Sequence, residues 1–442
     1  MAGRHQKPKA PAMNELPGAN PAPLRILVLT SDRFPPFRPA AKAIFGEEFA
    51  ARGHRVDWLM QADDPARTGG RQSFGNGYAY LAPMLSARSR LSRLFKHFLN
   101  LVNDLRVFSL AWRNRYDIIQ VKDKYPGAVL ALLAARLTGS KFCYWLAYPH
   151  PEASLYGAKH GMARYPLLYW LRGHFQAFLL YRIILPSSDH AFVQSEQMRM
   201  DIAAKGIDAS KLTPVPGSLN LDSIPYRGDD DPGPAGPIVL YVGTMIRKRR
   251  LDFLVRMFAK VLEERPDARL VFLGKGHLPE DDELLQSEVI AQRIDPSSVV
   301  FAGEVPMGEV WGHIERAAVC LSPYYPTFEL NSTSPTKLIE YMAMCRPVVA
   351  NEHPEQSIVI PASGAGYCVP WDETAFAVAV AALLQNPAGA ADMGRKGRAW
   401  VIAHRTNRIM ADLVENRYLG ILAGRGRQAT DSSGTESASD GS

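Results

Sequence analysis

Short apolar runs of strand length alternate with helical segments twice along this chain, and the two series are separated by a stretch that can hold no regular structure. The first series reads as strands at residues 25–30, 55–60, 118–121, 142–146, 191–193 and 212–215. The second reads as strands at 238–242, 269–273, 299–302, 319–322 and 347–350, with helices at 251–264, near 281–293 and 310–317, and from Pro335. Between them lies Arg227-Gly-Asp-Asp-Asp-Pro-Gly-Pro-Ala-Gly-Pro237, too rich in Gly and Pro for either element. Buried parallel strands are continuous apolar runs, and their alternation with helices means a parallel sheet covered on both faces. The expected fold class is therefore α/β, with two doubly wound Rossmann-like domains at 24–225 and 238–400 joined by a linker at 226–237. A helix at 401–422 is expected to pack back toward the first domain. The Ala/Pro-rich residues 1–23 and the Gly/Ser/Thr-rich residues 423–442 are expected to be a disordered arm and tail. Ligands of open α/β sheets bind beyond the C-terminal strand ends, so two such domains present a cleft between them.

Composition narrows the partners. Residues 1–225 hold 29 Lys and Arg against 16 Asp and Glu, and the remainder holds 22 against 28. A basic first half implies an anionic partner: nucleic acid, phospholipid or a phosphorylated substrate. The one run of four basic residues, 247–250, lies on the acidic half, and no nucleic-acid motif is visible, so nucleic acid is not the expected partner. Cys143, Cys320, Cys345 and Cys368 are too far apart for a zinc site or redox pair and read as reduced, buried thiols. The N-terminus lacks an apolar signal core, and no run reaches the roughly 18 apolar residues of a membrane span, so the chain reads as cytoplasmic. Asp229, Asp230 and Asp231 read as solvated linker, and no metal is expected.

The most informative segment is Asn331-Ser-Thr-Ser-Pro-Thr-Lys-Leu-Ile-Glu340-Tyr-Met-Ala. Ser334 suits a helix N-cap and Pro335 the first helical position. Free amides, the hydroxyls of Ser332, Thr333 and Ser334, and the charge of Lys337 then converge on an anion site fit for a diphosphate. Glu340 shares the face of Lys337 and can accept hydrogen bonds from a ribose diol. Gly243 ends the first strand of this domain, followed by Thr244 and the basic run. Arg247 and Arg249 are placed there to meet a pyrophosphate leaving group. Gly274 and Gly276 end the next strand and permit close backbone approach. An ordinary capped helix and a solvated basic loop are the plainer readings of the same residues.

Taken together, strand–Gly243, the Pro-Asp-Ala-Arg-Leu run with Gly274 and Gly276, Phe301-Ala-Gly303, and Ser334-Pro-Thr-Lys-Leu-Ile-Glu340-Tyr-Met-Ala followed by Arg346-Pro-Val-Val-Ala resemble glycosyltransferase family 4. The resemblance covers about residues 25–422. It implies the GT-B fold and metal-independent, retaining transfer from a nucleotide-diphosphate sugar, which is a substrate rather than a cofactor. It implies that Glu340 holds the ribose. The family's first glutamate, eight residues earlier, falls on Ser332, and its Arg and Lys after the first glycine fall on Thr244 and Arg249. It also places polysaccharide or lipid-linked precursors at the inner membrane face among the acceptors. On the acceptor side stand Lys42, in the loop after the first strand, and His150 and Glu152, which could orient an acceptor hydroxyl. The basic amphipathic stretches at 91–106 and 165–185 read either as core-facing helices or as surfaces for an anionic membrane. A nucleotide-sugar epimerase and a non-catalytic nucleotide-sugar-binding partner remain as alternatives.

Overall fold

A computed structural model of the protein describes residues 22–36, 40–63, 70–82, 90–228 and 233–433. Most of the expected N-terminal arm, residues 37–39 of the loop after the first strand, the 229–231 aspartates and the end of the tail lie outside the described residues.

Eight strands form the first sheet: β1 (Arg25–Phe34), β2 (Arg55–Ala62), β3 (Arg71–Phe74), β4 (Gly77–Ala82), β5 (Ile118–Lys122), β6 (Lys141–Leu146), β7 (His190–Val193) and β8 (Leu212–Pro214). Their order is β3-β4-β2-β1-β5-β6-β7-β8, and only the β3–β4 pair is antiparallel. β3, reading Arg-Gln-Ser-Phe, is a half-exposed edge strand and has no apolar run to announce it. The second sheet holds β9 (Ile238–Val242), β10 (Arg269–Leu273), β11 (Val299–Gly303), β12 (Val319–Ser322), β13 (Val348–Asn351) and β14 (Gly366–Val369) in the order β11-β10-β9-β12-β13-β14. The chain winds outward from β9 in one direction and from β12 in the other. The crevice at their C-terminal ends is the switch point where open α/β sheets place ligands.

Successive side chains of one strand point to opposite faces, and both faces of the first sheet are filled. Leu27, Leu29 and Leu59 join one core, and Ile26, Val28, Trp58 and Met60 join the other. The second core is completed by Met410, Ala411, Val414 and Tyr418 of the helix Asn407–Ser433. The helix Pro387–His404 stays on the second domain, and the return begins only at Asn407. That helix continues past residue 422 into the expected tail. Extending an existing helix needs no new nucleus, and Arg425, Arg427, Gln428 and Ala429 are helix formers. Two contacts tie it down: Glu415 receives Arg52 and His54, and the buried Tyr418 hydroxyl donates to Gln120 Oε1 at 2.6 Å. Tyr418→Phe leaves that oxygen buried without its donor and is expected to cost about 1–3 kcal/mol. A urea midpoint equal to wild type would show that the bond contributes nothing.

Among the described residues no single helix is long and apolar enough to cross a membrane. One bent pair, Glu373–Gln385 with Pro387–His404, matches by length and composition, but Phe376, Val380, Leu383 and Val401 within it are core residues.

Candidate functional site

Three glycines shape the crevice. Gly243 (φ +140°) directly follows β9 and Gly274 (φ +131°) directly follows β10, backbone conformations that a side chain resists. A Cβ on Gly274 would lie 2.2 Å from the carbonyl oxygen of Gly243, so the two strand ends touch backbone to backbone. Beyond them Gly276 packs against Asp281, whose Cβ would be 2.3 Å from an added one. Asp281 organises the loops: its carboxylate accepts the amides of Arg247, His277 and Leu278 at 3.0–3.1 Å. A cavity of about 270 Å³ opens at these strand ends, lined by Gly243, Thr244, Gly274, Gly276, Glu304 and Val310 among others. A cavity of about 340 Å³ opens at the opposite end of the sheet, beside Pro237, Ala318, Arg346 and Pro347. That is the N-terminal side of β9, β12 and β13, where this class of sheet does not bind substrates.

The helix Thr336–Ala343 starts one residue later than the sequence reading has it, with Pro335 at the cap and no side-chain capping bond. Its Tyr341 hydroxyl accepts the amide of Val242, fixing the helix to the end of β9. Lys337 is buried and points at Gly243: a Cβ there would be 3.2 Å from its Nζ. The ammonium sits 4.1 Å from the Tyr241 ring centroid and 5.3 Å from that of Tyr324, and has no hydrogen-bond partner among the described residues. Burial, then the nearby Arg249 charge, push its pKa well below the ordinary lysine value, against the pull of Glu340. Glu340 is raised in turn by burial, which Lys337 opposes. Arg249 rests on the short turn Arg247–Arg249, 5.9 Å from the Tyr324 ring centroid, with its Nε buried and without a hydrogen-bond partner among the described residues. Arg249, Lys337 and Glu340 therefore form one contiguous charged set. With Lys337 protonated and Glu340 ionised, two cations and a single carboxylate leave the set one positive charge in excess, and burial raises the energy of that charge. An anion would neutralise it.

Other expected site residues have different work. Ser334 does not cap the helix. Its hydroxyl accepts the amide of Gly217 at 2.9 Å and donates to Glu355 at 2.8 Å, and Glu355 pairs with Arg405. Ser332 donates to Asp201 at 2.5 Å, and its carbonyl accepts from Ser195 at 2.8 Å. Both serines thus bind the second domain to the first, and Thr333 turns its hydroxyl back to Leu330. None of the three is a free donor for phosphate, because each hydroxyl already donates elsewhere. Arg247 is exposed, Lys248 pairs with the buried Glu329, and Arg250 pairs with Asp252. Of the basic run, only Arg249 reaches the buried set. Lys42 is exposed and lies 3.3 Å from Glu47.

Across the crevice, His150 opens a helix, His150–Lys159, at the end of β6, edge-on to Tyr125 and Tyr148. The Tyr148 hydroxyl is pushed up to about 12 by burial and by Glu329, with Arg249 opposing, so this loop faces the second domain's charges. Glu152 accepts the Tyr181 hydroxyl at 2.7 Å and pairs with Lys205, both through Oε1. Sequence reasoning missed Tyr241, Tyr324 and Asp281. The tyrosines sit within or just after apolar strands and read as core. Asp281, in the first turn after the glycines, carried the only local signal.

Comparison with known proteins identifies the fold and the family. Residues 45–217 match the glycosyl transferase 4-like domain, and residues 236–386 match the glycosyl transferases group 1 domain. A search of curated protein sequences finds no match. Among solved structures, the sucrose-phosphate synthase of Thermosynechococcus elongatus is 20% identical, covering 90% of this chain and 100% of its own, with a TM-score of 0.66. A glycosyltransferase of Rickettsia africae is 13% identical over 90% and 99% of the two chains, with a TM-score of 0.65. Anabaena HepE, solved with UDP, is 12% identical over 90% and 100%, with a TM-score of 0.61. The fold is GT-B. With family models spanning both halves and that shared architecture, the chain belongs to the group 1 glycosyltransferases.

Proposed function

We propose that the chain is a retaining, metal-independent glycosyltransferase of family 4, moving a sugar from a nucleotide-diphosphate donor to an anionic or lipid-linked acceptor of a polysaccharide or glycolipid precursor. The observation that carries this reading is the buried, unpartnered Lys337 ammonium beside Arg249 at the glycine-shaped ends of β9 and β10. A diphosphate against Lys337 and the Gly243 backbone would supply the missing negative charge. Glu340 would accept the ribose hydroxyls, and the neighbouring cavity would take the base. As the bond from sugar carbon to phosphate oxygen breaks, charge gathers on the leaving diphosphate, where Arg249 and Lys337 stabilise it. The new bond forms to the acceptor oxygen, and the departing phosphate oxygen takes the acceptor's proton on the same face. His150, on the opposite wall, would orient the acceptor. HepE structures hold UDP and glucose and UDP-glucose, which makes uridine donors the first to try.

The test is release of nucleoside diphosphate from a panel of nucleotide sugars. One or a few donors should be turned over, and Glu340→Gln should weaken use of that donor about tenfold by removing a charged acceptor from the ribose. Tight donor binding without turnover would instead favour the non-catalytic alternative. No donor bound or turned over would remove the basis of the assignment.

A further inference from the structure

The helix Pro166–Phe178 is turned inside out relative to a core helix. It buries Gly173 and Gln176 and leaves its large apolar side chains in solvent. Leu167 is 70% exposed, Trp170 49% and Phe175 56%, with Leu171 and Phe178 also exposed. The small residue is what seats it: a Cβ on Gly173 would lie 2.7 Å from the Leu155 side chain of the preceding helix, His150–Lys159. Soluble proteins seldom leave so large an apolar patch bare without a partner.

Charge identifies that partner. From Ala153 to Ser188 there is no Asp or Glu, while Lys159, Arg164, Arg172 and Arg182 are all exposed. A second copy of this chain is disfavoured, because a twofold interface would set this basic patch against itself. Aromatic and aliphatic side chains among cations are the composition of a helix that lies in the headgroup layer of an anionic bilayer. We propose that the helix Pro166–Phe178, with the turn before it, docks the protein on an anionic lipid surface. The neighbouring helix His150–Lys159 borders the crevice: Lys248 of the second domain lies 5.3 Å from its Tyr156 ring centroid. Docking would therefore hold the acceptor wall of the crevice beside the lipid headgroups. This placement deepens the proposed function and rests on it for the acceptor being lipid-linked.

The experiment is flotation of the full chain with vesicles of phosphatidylcholine alone or mixed with phosphatidylglycerol, over a salt series. The protein should float with the anionic vesicles and be released by salt. Trp170→Ser with Phe175→Ser should reduce binding at least about tenfold. Arg164→Gln with Arg172→Gln should reduce it roughly 25-fold, each cation near such a surface being worth about fivefold. All four side chains are exposed and outside the donor site, so donor-induced thermal shifts should match wild type. Absence of flotation, or equal flotation of the Trp170/Phe175 variant, overturns the proposal. So does a dimer in sedimentation equilibrium that the same variant dissociates while vesicles bind nothing. Loss of donor binding with flotation intact would instead sink only the transferase reading.

Discussion

Lys337→Met is expected to lower kcat/KM for the sugar donor about 100- to 1,000-fold while raising the stability of the free protein. The two effects share one cause. The Lys337 ammonium is held in a buried site with no hydrogen-bond partner among the described residues, next to another cation, with the Glu340 carboxylate and the Tyr241 and Tyr324 rings to offset its burial. An uncompensated charge of this kind costs folding energy and is offset when a diphosphate binds. Methionine keeps the volume and removes the charge. The sign can be checked against pH. A lysine whose folded pKa is depressed destabilises most below that pKa, where it must stay charged, and the penalty fades as pH rises toward its unfolded value of about 10.4. The stability gain of Lys337→Met should therefore be largest at low and neutral pH and shrink in alkali. Wild-type donor affinity should weaken as pH rises through the depressed pKa, because the diphosphate binds the protonated form, and the variant should lose that slope. Arg249→Ala should lose comparable activity. Thermal melts and donor titrations across pH measure both. A variant less stable than wild type at neutral pH, or one retaining the pH slope, would contradict this account of the site.

Gly274→Ala is expected to destabilise the second domain by about 3 kcal/mol or more. Two terms add. Holding φ at +131° strains any L-residue, and the new methyl would meet the Gly243 carbonyl oxygen at 2.2 Å, backbone against backbone, where no side chain can swing away. Relief requires β9 and β10 to part at their ends, which withdraws Gly243 from Lys337. Donor affinity should fall along with stability. Gly303→Ala serves as the control. It too has a positive φ, +73°, but a methyl there meets nothing within 4 Å. Only the conformational cost should remain, about 1–2 kcal/mol. The difference between the two urea midpoints reports the backbone contact together with the greater strain at +131°, and a Gly303 variant as unstable as the Gly274 one would dismiss it.

What could be read from the sequence follows physical range. Buried parallel strands declare themselves as apolar runs, and β9, β10 and β12 fall on the expected residues. Polar β3 and the short, half-exposed β14, Gly-Tyr-Cys-Val, have no such run and depend on pairing with a neighbour. The same division holds in the site. Lys337, Glu340 and Gly243 were legible because helix spacing and strand ends are local. Ser332 and Ser334 were not: beside a helix start they read as hydroxyl donors for phosphate, yet Ser332 donates to Asp201 of the other domain, and Ser334 accepts from Gly217 of that domain and donates to Glu355. Glu152 likewise looked free and is taken by Tyr181 and Lys205. The ring pair that holds Lys337, Tyr241 and Tyr324, reads as core in the sequence because burial, not pattern, gives it that role.

A crystal structure of the protein with the nucleoside diphosphate that stabilises it most would test the central claim directly. The account places the diphosphate between Lys337 and the Gly243 backbone, the ribose on Glu340 and the base among Thr244, Glu304 and Val310. A nucleotide bound instead beside Arg346 and Pro347, at the far end of the sheet, or one leaving Lys337 without a contact, would contradict it.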